Sequence, residues 1–205
     1  MEAGILGIVL LFPLFIMAVV AHEVSHGWVA LQFGDPTALQ AGRLTLNPFK
    51  HIDLFGTILL PLFLFFIHAP VFGWAKPVPI NPQYMRHPKH NILWVGLAGP
   101  ATNFLLALVI AFFVRLFIHV WPPLLIDLLR TFALINLVLG TFNLIPLPPL
   151  DGSRVMISLL PIGGARLFCA LEPWGILIIM LLCYFGFIDR FLWPMVLFLS
   201  RVFGL

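Results

Sequence analysis

The sequence predicts an all-α polytopic membrane protein with about five to six membrane helices and one re-entrant or strand-containing loop region. Of its 205 residues, 61% are hydrophobic and only 9% are charged, and the mean hydropathy is +1.09. About a quarter of the residues of a soluble domain are normally charged, so water is not the main solvent of this chain. Long apolar runs recur along the sequence between breaks rich in glycine and proline, and helices are what such runs form in a bilayer.

The first apolar run, Gly4 to Phe33, has about thirty residues, which make roughly 45 Å of helix and more than one bilayer crossing. The sequence from Gly34 to Pro36 should end this helix. Because Met1 to Val20 contains no lysine or arginine, it does not resemble a removable signal peptide, and we expect it to remain as a membrane helix. The next stretch, Thr37 to Asp53, is the most polar part of the chain; it should lie in water or at the interface, and short strands would suit it.

The region from Leu54 to Pro82 combines a short apolar run with an extended loop. Leu54 to Ile67 is apolar, but Pro61 interrupts it. Gly73 to Pro82 cannot be helical, because its three prolines lack N–H donors and bias the preceding residues toward extended backbone. We expect either a helix with a returning strand or a re-entrant hairpin that lines a cavity, since non-helical backbone at membrane depth must be covered by protein or water.

Two further spans are predicted in the middle of the chain. Asn91 to Val120 is a full span that the pair Gly99-Pro100 should interrupt early, because proline disrupts the hydrogen-bond ladder of a helix. Trp121 to Pro123 predicts a tight turn into the next span, Leu124 to Phe142.

Breaks in the apolar pattern divide the last third of the chain into shorter helices. Asn143 to Leu150 ends the preceding span because it is rich in proline, and Asp151 is suited to cap a new helix. Leu159 to Gly164 is a second break. One more span is expected near Trp174 to Phe187, followed by an apolar C-terminal piece from Phe191.

The positive charges indicate orientation in a membrane and not a nucleic-acid partner. The net charge is +3, but the eleven Lys and Arg stand between apolar runs and form no basic stripe, which argues against nucleic-acid binding. Positive residues near the ends of spans stay on the cytoplasmic side. By this rule three inter-span regions share that side, with Arg43 and Lys50, then Lys76, Arg86 and Lys89, then Arg154 and Arg166.

The motif HEVSH, from His22 to His26, lies inside the first apolar helix and predicts a metal site. Two histidines four residues apart are about 40° apart around a helix and one turn apart along it, so both rings can bind one ion. Glu23 lies roughly 100° from His22, where it can act on a metal-bound water as a general base. Ionisable side chains at lipid depth are costly, so this cluster favours a functional site over satisfied buried polar residues.

A catalytic zinc ion takes three protein ligands and leaves a fourth position for water, so a third ligand is expected elsewhere in the chain. Asp151 differs from the other acidic residues, because the prolines before it impose a rigid, extended approach and Gly152 leaves room beside it. The alternative for Asp151 is a helix N-cap and nothing more.

Three motifs of the chain resemble, in order and context, the signature motifs of the site-2 protease family of intramembrane metalloproteases. They are His22–His26 (HEVSH), Gly99–Asn103 (GPATN) and Asn143–Gly152 (NLIPLPPLDG). Two intervening segments, Asn47–Asp53 and Gly73–Pro79, are similar to the compact prokaryotic branch of the family, which has no PDZ domain. The resemblance covers most of Ala18 to Gly152 and does not extend to the later helices.

The resemblance implies a role for each motif residue. It assigns one catalytic Zn²⁺ ion to three ligands, His22, His26 and Asp151. It makes Glu23 the catalytic base. It places Asn103 and Asn143 near the substrate or the developing oxyanion, although each amide can equally be a buried group that ties two helices together.

The sequence therefore predicts an intramembrane zinc metalloprotease that hydrolyses peptide bonds of membrane-anchored proteins. One membrane-embedded domain, 1–205, would comprise a catalytic core of about 4–160 and C-terminal helices at about 165–205. The expected partners are a transmembrane or membrane-anchored substrate and the lipid bilayer. The expected location is the plasma membrane of a prokaryote, with the active site open to the cytoplasm. A helical substrate has to unwind for cleavage, and we expect Gly73 to Asn81 or Leu44 to Leu46 to hold it as an added strand.

Two other functions are compatible with part of the pattern. A membrane metal transporter or sensor also places histidine and acid in helices, but it predicts further intramembrane ligand clusters and gives Glu23 no role. A catalytically inactive relative of the same fold could act as a binding scaffold, and the intact Glu23 argues against this function.

Overall fold

The structure is a computed structural model that describes residues 2–59, 62–63, 66 and 75–205, and within these ranges no strand is formed. The α-helices are α1 (Glu2–Gln32), α2 (Thr37–Gln40), α3 (Pro88–Phe117), α4 (Pro123–Asn143), α5 (Asp151–Leu159), α6 (Ile162–Leu171), α7 (Gly175–Tyr184) and α8 (Trp193–Phe203). Short 3₁₀ and π-helical turns lie at Pro48–Lys50, Leu54–Leu59, Pro82–Tyr84, Glu172–Trp174 and Ile188–Leu192.

Four stretches of the described chain are long and apolar enough to cross a membrane, where about five to six were predicted for the whole chain. They are Leu10–Gln32, Pro88–Phe117, Pro123–Asn143 and Ile162–Tyr184. The predicted all-α polytopic membrane architecture is confirmed. The last stretch, formed by α6 and α7, is only 6% buried over its most apolar window, so the rest of the described chain covers few of its side chains.

The predicted re-entrant or strand-containing region lies partly outside the described residues. Leu54–Leu59 forms a π-helical turn, and residues 60–61, 64–65 and 67–74 are not described. Residues 75–81 are non-helical, as their prolines predict.

The polar stretch from Thr37 to Asp53 forms helical turns instead of the short strands that would have suited it. Asp35 Oδ1 accepts the backbone N–H of Thr37 at 3.0 Å, at the start of α2. Further on, Asn47 Oδ1 accepts the N–H of Phe49 at 3.1 Å and caps a 3₁₀ turn. Side-chain bonds to nearby backbone groups favour turns over strands, which explains the difference.

The predicted interruption at Gly99-Pro100 is wrong, because α3 runs unbroken through Pro100. A proline inside a helix removes one backbone hydrogen bond. Here Pro100 is fully buried, in a helix that packs against α1, α4 and α5. The burial of α3 outweighs the loss of one bond.

A buried apolar cluster joins α3 and α4 to the C-terminal helix. It contains Ala107, Ala133, Leu137, Leu192 and Val196. Small residues such as its two alanines let helices approach closely, which is how helices associate in a membrane. With α1 and α5 packed on α3, this core places the HEVSH motif next to the start of α5.

Candidate metal centre

Two buried histidines of α1 face each other across one helical turn. His22 is 5% and His26 is 2% exposed, and their ring centroids lie 4.7 Å apart. Their Nε2 atoms are 3.0 Å apart. The predicted spacing therefore directs the same nitrogen of both rings to one point.

The carboxylate of Asp151 reaches this point from the start of α5. Its Oδ2 lies 2.9 Å from Nε2 of His22 and 3.1 Å from Nε2 of His26. With zinc about 2.0–2.1 Å from each ligand in a tetrahedral site, ligand atoms lie about 3.3 Å apart, which is close to these spacings. The three residues can therefore hold a metal ion.

Asp151 is the first residue of α5, and Leu150 occupies the N-cap position. The alternative of a simple N-cap thus does not describe Asp151, whose carboxylate is directed at the histidines. Gly152 allows this placement, because a Cβ there would lie 2.3 Å from the carbonyl oxygen of Leu144. The proline-rich turn after α4 consequently packs directly on the first turn of α5.

The second carboxylate oxygen of Asp151 is bound by Arg154. Nη1 of Arg154 donates to Oδ1 at 3.2 Å, so Oδ1 faces the guanidinium and Oδ2 faces the histidines. A carboxylate that binds a metal has to be ionised, and the guanidinium of Arg154 beside Oδ1 is compatible with that form.

Both imidazoles are oriented through their other ring nitrogen. Nδ1 of His26 lies 2.6 Å from the carbonyl oxygen of Val95, and Nδ1 of His22 lies 2.5 Å from Oδ1 of Asn103. Since both partners are acceptors, each Nδ1 carries the hydrogen and each Nε2 keeps its electron pair. Metal-binding histidines are held in this way in proteins.

Gly99 of α3 leaves open the space between the two histidines. A Cβ at this position would lie 2.4 Å from Nε2 of His22 and 2.4 Å from Nε2 of His26. Zinc binds imidazole nitrogen at about 2.0–2.1 Å, so the hydrogen of Gly99 faces the space that an ion would need. The residues present fit a zinc ion.

Glu23, the predicted base, is half-buried on α1 beside His22. Its Oε2 accepts the backbone N–H of Val78 at 2.8 Å. Pro77 and Pro79 flank Val78, so the Val78 amide is the one N–H donor of this run. The non-helical segment 75–81 is therefore anchored on the carboxylate of Glu23.

Two further hydrogen bonds hold the segment 75–81 in place. The N–H of Lys76 donates to the carbonyl of His51 at 2.9 Å. The N–H of Asn81 donates to Oδ2 of Asp35 at 2.6 Å, and Asp35 is fully buried. The segment is thus fixed near both of its ends as well as at Glu23.

The two asparagines of the motifs lie in different surroundings. Asn103 is fully buried, accepts from His22 and donates Nδ2 to Oδ1 of Asn136 at 2.8 Å. Asn143 is half-buried at the end of α4 and donates to the carbonyl of Leu139 in its own helix at 3.0 Å. The structure brings Asn103 to the histidines, and a role at the oxyanion stays a prediction for both amides.

Three residues of the site were not expected from the sequence: Asn136, Arg154 and Val78. Asn136 had a signal, since an uncharged polar residue within an apolar span has to find a hydrogen-bond partner. Arg154 had the weaker signal of its position one turn after Asp151. A backbone N–H such as that of Val78 leaves no trace in residue identity.

The comparisons with known proteins point to one family. The family model described as peptidase family M50 matches residues 118–185. YwhC of Bacillus subtilis (strain 168), classed by its name with the zinc metalloproteases, is 39% identical over 191 residues, 88% of this chain and 82% of that protein. Rip2 of Mycolicibacterium smegmatis, of the same class by name, is 28% identical over 185 residues, 89% of this chain and 69% of that protein.

An archaeal relative extends the match. Zinc metalloprotease MJ0392 of Methanocaldococcus jannaschii is 29% identical over 153 residues, which are 73% of this chain and 34% of that protein. No solved structure matches the chain significantly. The identity with YwhC covers most of both proteins, and the described helices and the metal-binding group agree with a zinc enzyme of the membrane. The chain therefore belongs to peptidase family M50, the site-2 protease family of zinc metalloproteases.

Proposed function

We propose that this zinc metalloprotease cuts membrane-anchored proteins at or within the bilayer, with zinc held by His22, His26 and Asp151. One observation carries the proposal. Two imidazole nitrogens and a carboxylate oxygen converge within 3.1 Å of one another, and both histidines lie inside a helix long and apolar enough to span a membrane. A peptidase site at that depth meets substrates that are in the membrane themselves.

Glu23 is the general base in this proposal. Zinc in the site would polarise the scissile carbonyl and lower the pKa of a bound water toward ~7. Glu23 accepts the proton of the attacking water and returns it to the leaving amine nitrogen. Because the Val78 amide holds Oε2, we assign the proton transfer to Oε1.

The two motif asparagines receive different roles. Asn103 is enclosed in the helix bundle, with its oxygen on His22 and its NH₂ on Asn136, so we assign it to orienting His22. Asn143 is half-buried, and its bond to Leu139 uses one of the two hydrogens of its NH₂ group. The other hydrogen makes Asn143 the better candidate for the developing oxyanion.

The substrate is proposed to bind as an extended strand beside Glu23. Two segments were expected to supply the edge, and one described residue of each, Leu44 and Val78, lies next to the HEVSH motif. A Cβ at Gly27 would meet the side chain of Leu44 at 2.7 Å and that of Val78 at 2.8 Å. A peptide paired with either segment would therefore run close to the metal ligands and the base.

The active site is proposed to open to the cytoplasm of a prokaryotic cell. His26 lies six residues before the end of α1, about 9 Å at 1.5 Å per residue. The segments that follow this end carry Arg43, Lys50 and Lys76, and positive residues of this kind are retained in the cytoplasm. The relatives described above come from bacteria and an archaeon, which supports a prokaryotic plasma membrane.

A metal transporter is the main alternative from another class. It would need a path of ligands across the membrane. In the described part of the chain, one group of His, Cys, Asp and Glu residues can hold a metal, and it is His22, His26 and Asp151. A single group suits a resident ion better than a transported one.

The test is Glu23→Gln in purified protein reconstituted in vesicles with a panel of transmembrane peptides. The substitution removes the base and keeps the shape of the side chain, so cleavage should fall by about 10²–10⁴-fold while zinc stays bound. Glu172→Gln, at an exposed position, is the matched control and should cleave normally. Unchanged cleavage by Glu23→Gln would refute the base, and zinc flux across the vesicles without cleavage would establish the transporter.

A further inference from the structure

A line of directional hydrogen bonds connects the backbone of α4 to a predicted zinc ligand. Nδ2 of Asn136 donates to the carbonyl of Phe132 at 2.8 Å, and Nδ2 of Asn103 donates to Oδ1 of Asn136 at 2.8 Å. Oδ1 of Asn103 then accepts from Nδ1 of His22 at 2.5 Å. All three residues are at most 5% exposed, so water does not compete for these bonds.

The direction of every bond in this line follows from its first member. A backbone carbonyl only accepts, so the NH₂ group of Asn136 must face Phe132 and its oxygen must face Asn103. That oxygen in turn attracts the NH₂ group of Asn103 and leaves its oxygen for His22. The hydrogen of the imidazole is then on Nδ1, and Nε2 has the electron pair that a metal needs.

The reverse orientation of Asn103 would disable the ligand. Its NH₂ group would face Nδ1 of His22, which would then have to accept, so the hydrogen would move to Nε2. A second contact, from Nδ2 of Asn103 to the carbonyl of Ala18, is 3.5 Å long and therefore weak. Asn136 is the partner that decides the orientation of Asn103.

His26 provides a contrast within the same site. Its Nδ1 bonds directly to the backbone carbonyl of Val95 at 2.6 Å, and a carbonyl cannot reverse its role. The tautomer of His26 therefore needs no further support, whereas that of His22 depends on an amide that has two orientations.

We propose that Asn136 is a positioning residue of the metal centre, which sets the amide orientation of Asn103 and thereby the tautomer of His22. The inference rests on the metal-binding part of the proposed function and not on the substrate. Removal of groups that orient a metal ligand typically costs about 10–100-fold in metal affinity. Asn136→Leu should weaken zinc binding by that factor.

The experiment is a double-mutant cycle between Asn136 and Asn103, with the zinc dissociation constant measured by chelator competition on detergent-purified protein. Asn103→Asp replaces the amide by a carboxylate, which accepts from His22 in either orientation and needs no partner to orient it. Asn136→Leu should therefore cost about 10–100-fold in the native background and less than about 3-fold in the Asn103→Asp background.

Two further variants separate positioning from packing. Thr141→Val is the matched control, since this residue is also buried in α4 and its hydroxyl has no hydrogen-bond partner in the described structure; zinc affinity should not change. Asn136→Asp is the conservative variant, because a neutral buried carboxyl donates to Phe132 and accepts from Asn103 as the amide does. Its zinc affinity should stay within about 3-fold of the native value.

Each contrary result overturns the inference. An equal loss of affinity for Asn136→Leu in both backgrounds would assign Asn136 to packing alone, and no loss in the native background would remove its role. If Asn136→Leu does not fold, Asn136→Asp decides the test. A loss of about 10-fold or more in its zinc affinity would also overturn the inference, because this variant keeps both hydrogen bonds. A native protein that binds zinc but cleaves no membrane peptide would refute the proposed substrate and leave this test valid.

Discussion

Gly99 offers the sharpest test of the metal centre, because one added methyl group would stand where the ion is expected. In Gly99→Ala the new Cβ would lie 2.4 Å from Nε2 of both His22 and His26. Non-bonded carbon and nitrogen atoms do not approach closer than about 3 Å, so each ring would have to move by more than about half an ångström. Both rings are fixed at Nδ1, by Val95 and Asn103, so neither can swing aside without losing a hydrogen bond.

The cost can be estimated from overpacking in general. Inserting a methyl group into a packed interior costs about 1–3 kcal/mol. If the added methyl group destabilises the zinc-bound state alone by this amount, zinc affinity falls by about 5–150-fold, since every 1.4 kcal/mol is a factor of ten. Part of the strain is also present without the ion, so the melting temperature of the metal-free protein should fall as well.

The assay is zinc stoichiometry and affinity on purified protein, with thermal unfolding in parallel. Gly163→Ala in α6 is the matched control, because a Cβ there meets nothing within 4 Å. It should bind zinc as the native protein does. Native zinc affinity in Gly99→Ala would show that the ion does not bind between the two Nε2 atoms and would refute the proposed site.

Two other predictions concern residues that contact the proposed ligand Asp151 and the proposed base Glu23. Arg154→Leu frees Oδ1 of Asp151 and should weaken zinc binding by about 10-fold, near the lower end of the usual range because Arg154 is partly exposed. Arg166→Leu, at a partly exposed position of α6, is the control and should leave zinc affinity unchanged. Equal losses of affinity in both variants would show that Arg154 does not act through Asp151. Val78→Pro removes the N–H that holds Glu23 and should lower kcat by about 10–100-fold, since a hydrogen bond to a charged group is worth about 1.5–3 kcal/mol. Zinc affinity should stay constant in this variant. An unchanged kcat would show that the Val78 N–H does not position Glu23 for catalysis.

Local features of the sequence predicted the two histidines as metal ligands, whereas the family resemblance was needed to assign Asp151 as the third. The spacing of His22 and His26 has a fixed geometric meaning once both lie in one helix. The prolines before Asp151 made a rigid turn predictable, and the structure directs Asp151 at both histidines. The break before Asp151 and the turn at Trp121 to Pro123 were predictable for the same reason, because proline acts on the backbone of its own neighbours, whereas the break expected at Gly99-Pro100 is wrong.

Contacts between helices were not predictable, because their rotation is not encoded in the apolar pattern. A membrane helix is apolar toward lipid and apolar toward its neighbours, so periodicity does not say which side faces the protein. The bond between Asn103 and Asn136 depends on how α3 and α4 are rotated, and the bond between Glu23 and Val78 depends on where a loop docks. The same limit explains the error at Pro100, whose helix is stabilised by packing that the sequence does not reveal.

The direct bond from His26 to the backbone of α3 has a mechanical consequence. Both imidazoles of α1 are hydrogen-bonded to α3, one to the main chain at Val95 and one to the side chain of Asn103. Asp151 of α5 contacts His22 from a third side. Separating α1 from α3 would break both attachments at once and scatter the ligands. A substrate that reaches the proposed metal site would therefore have to displace other parts of the protein, because moving any one of these three helices away would break contacts among the ligands.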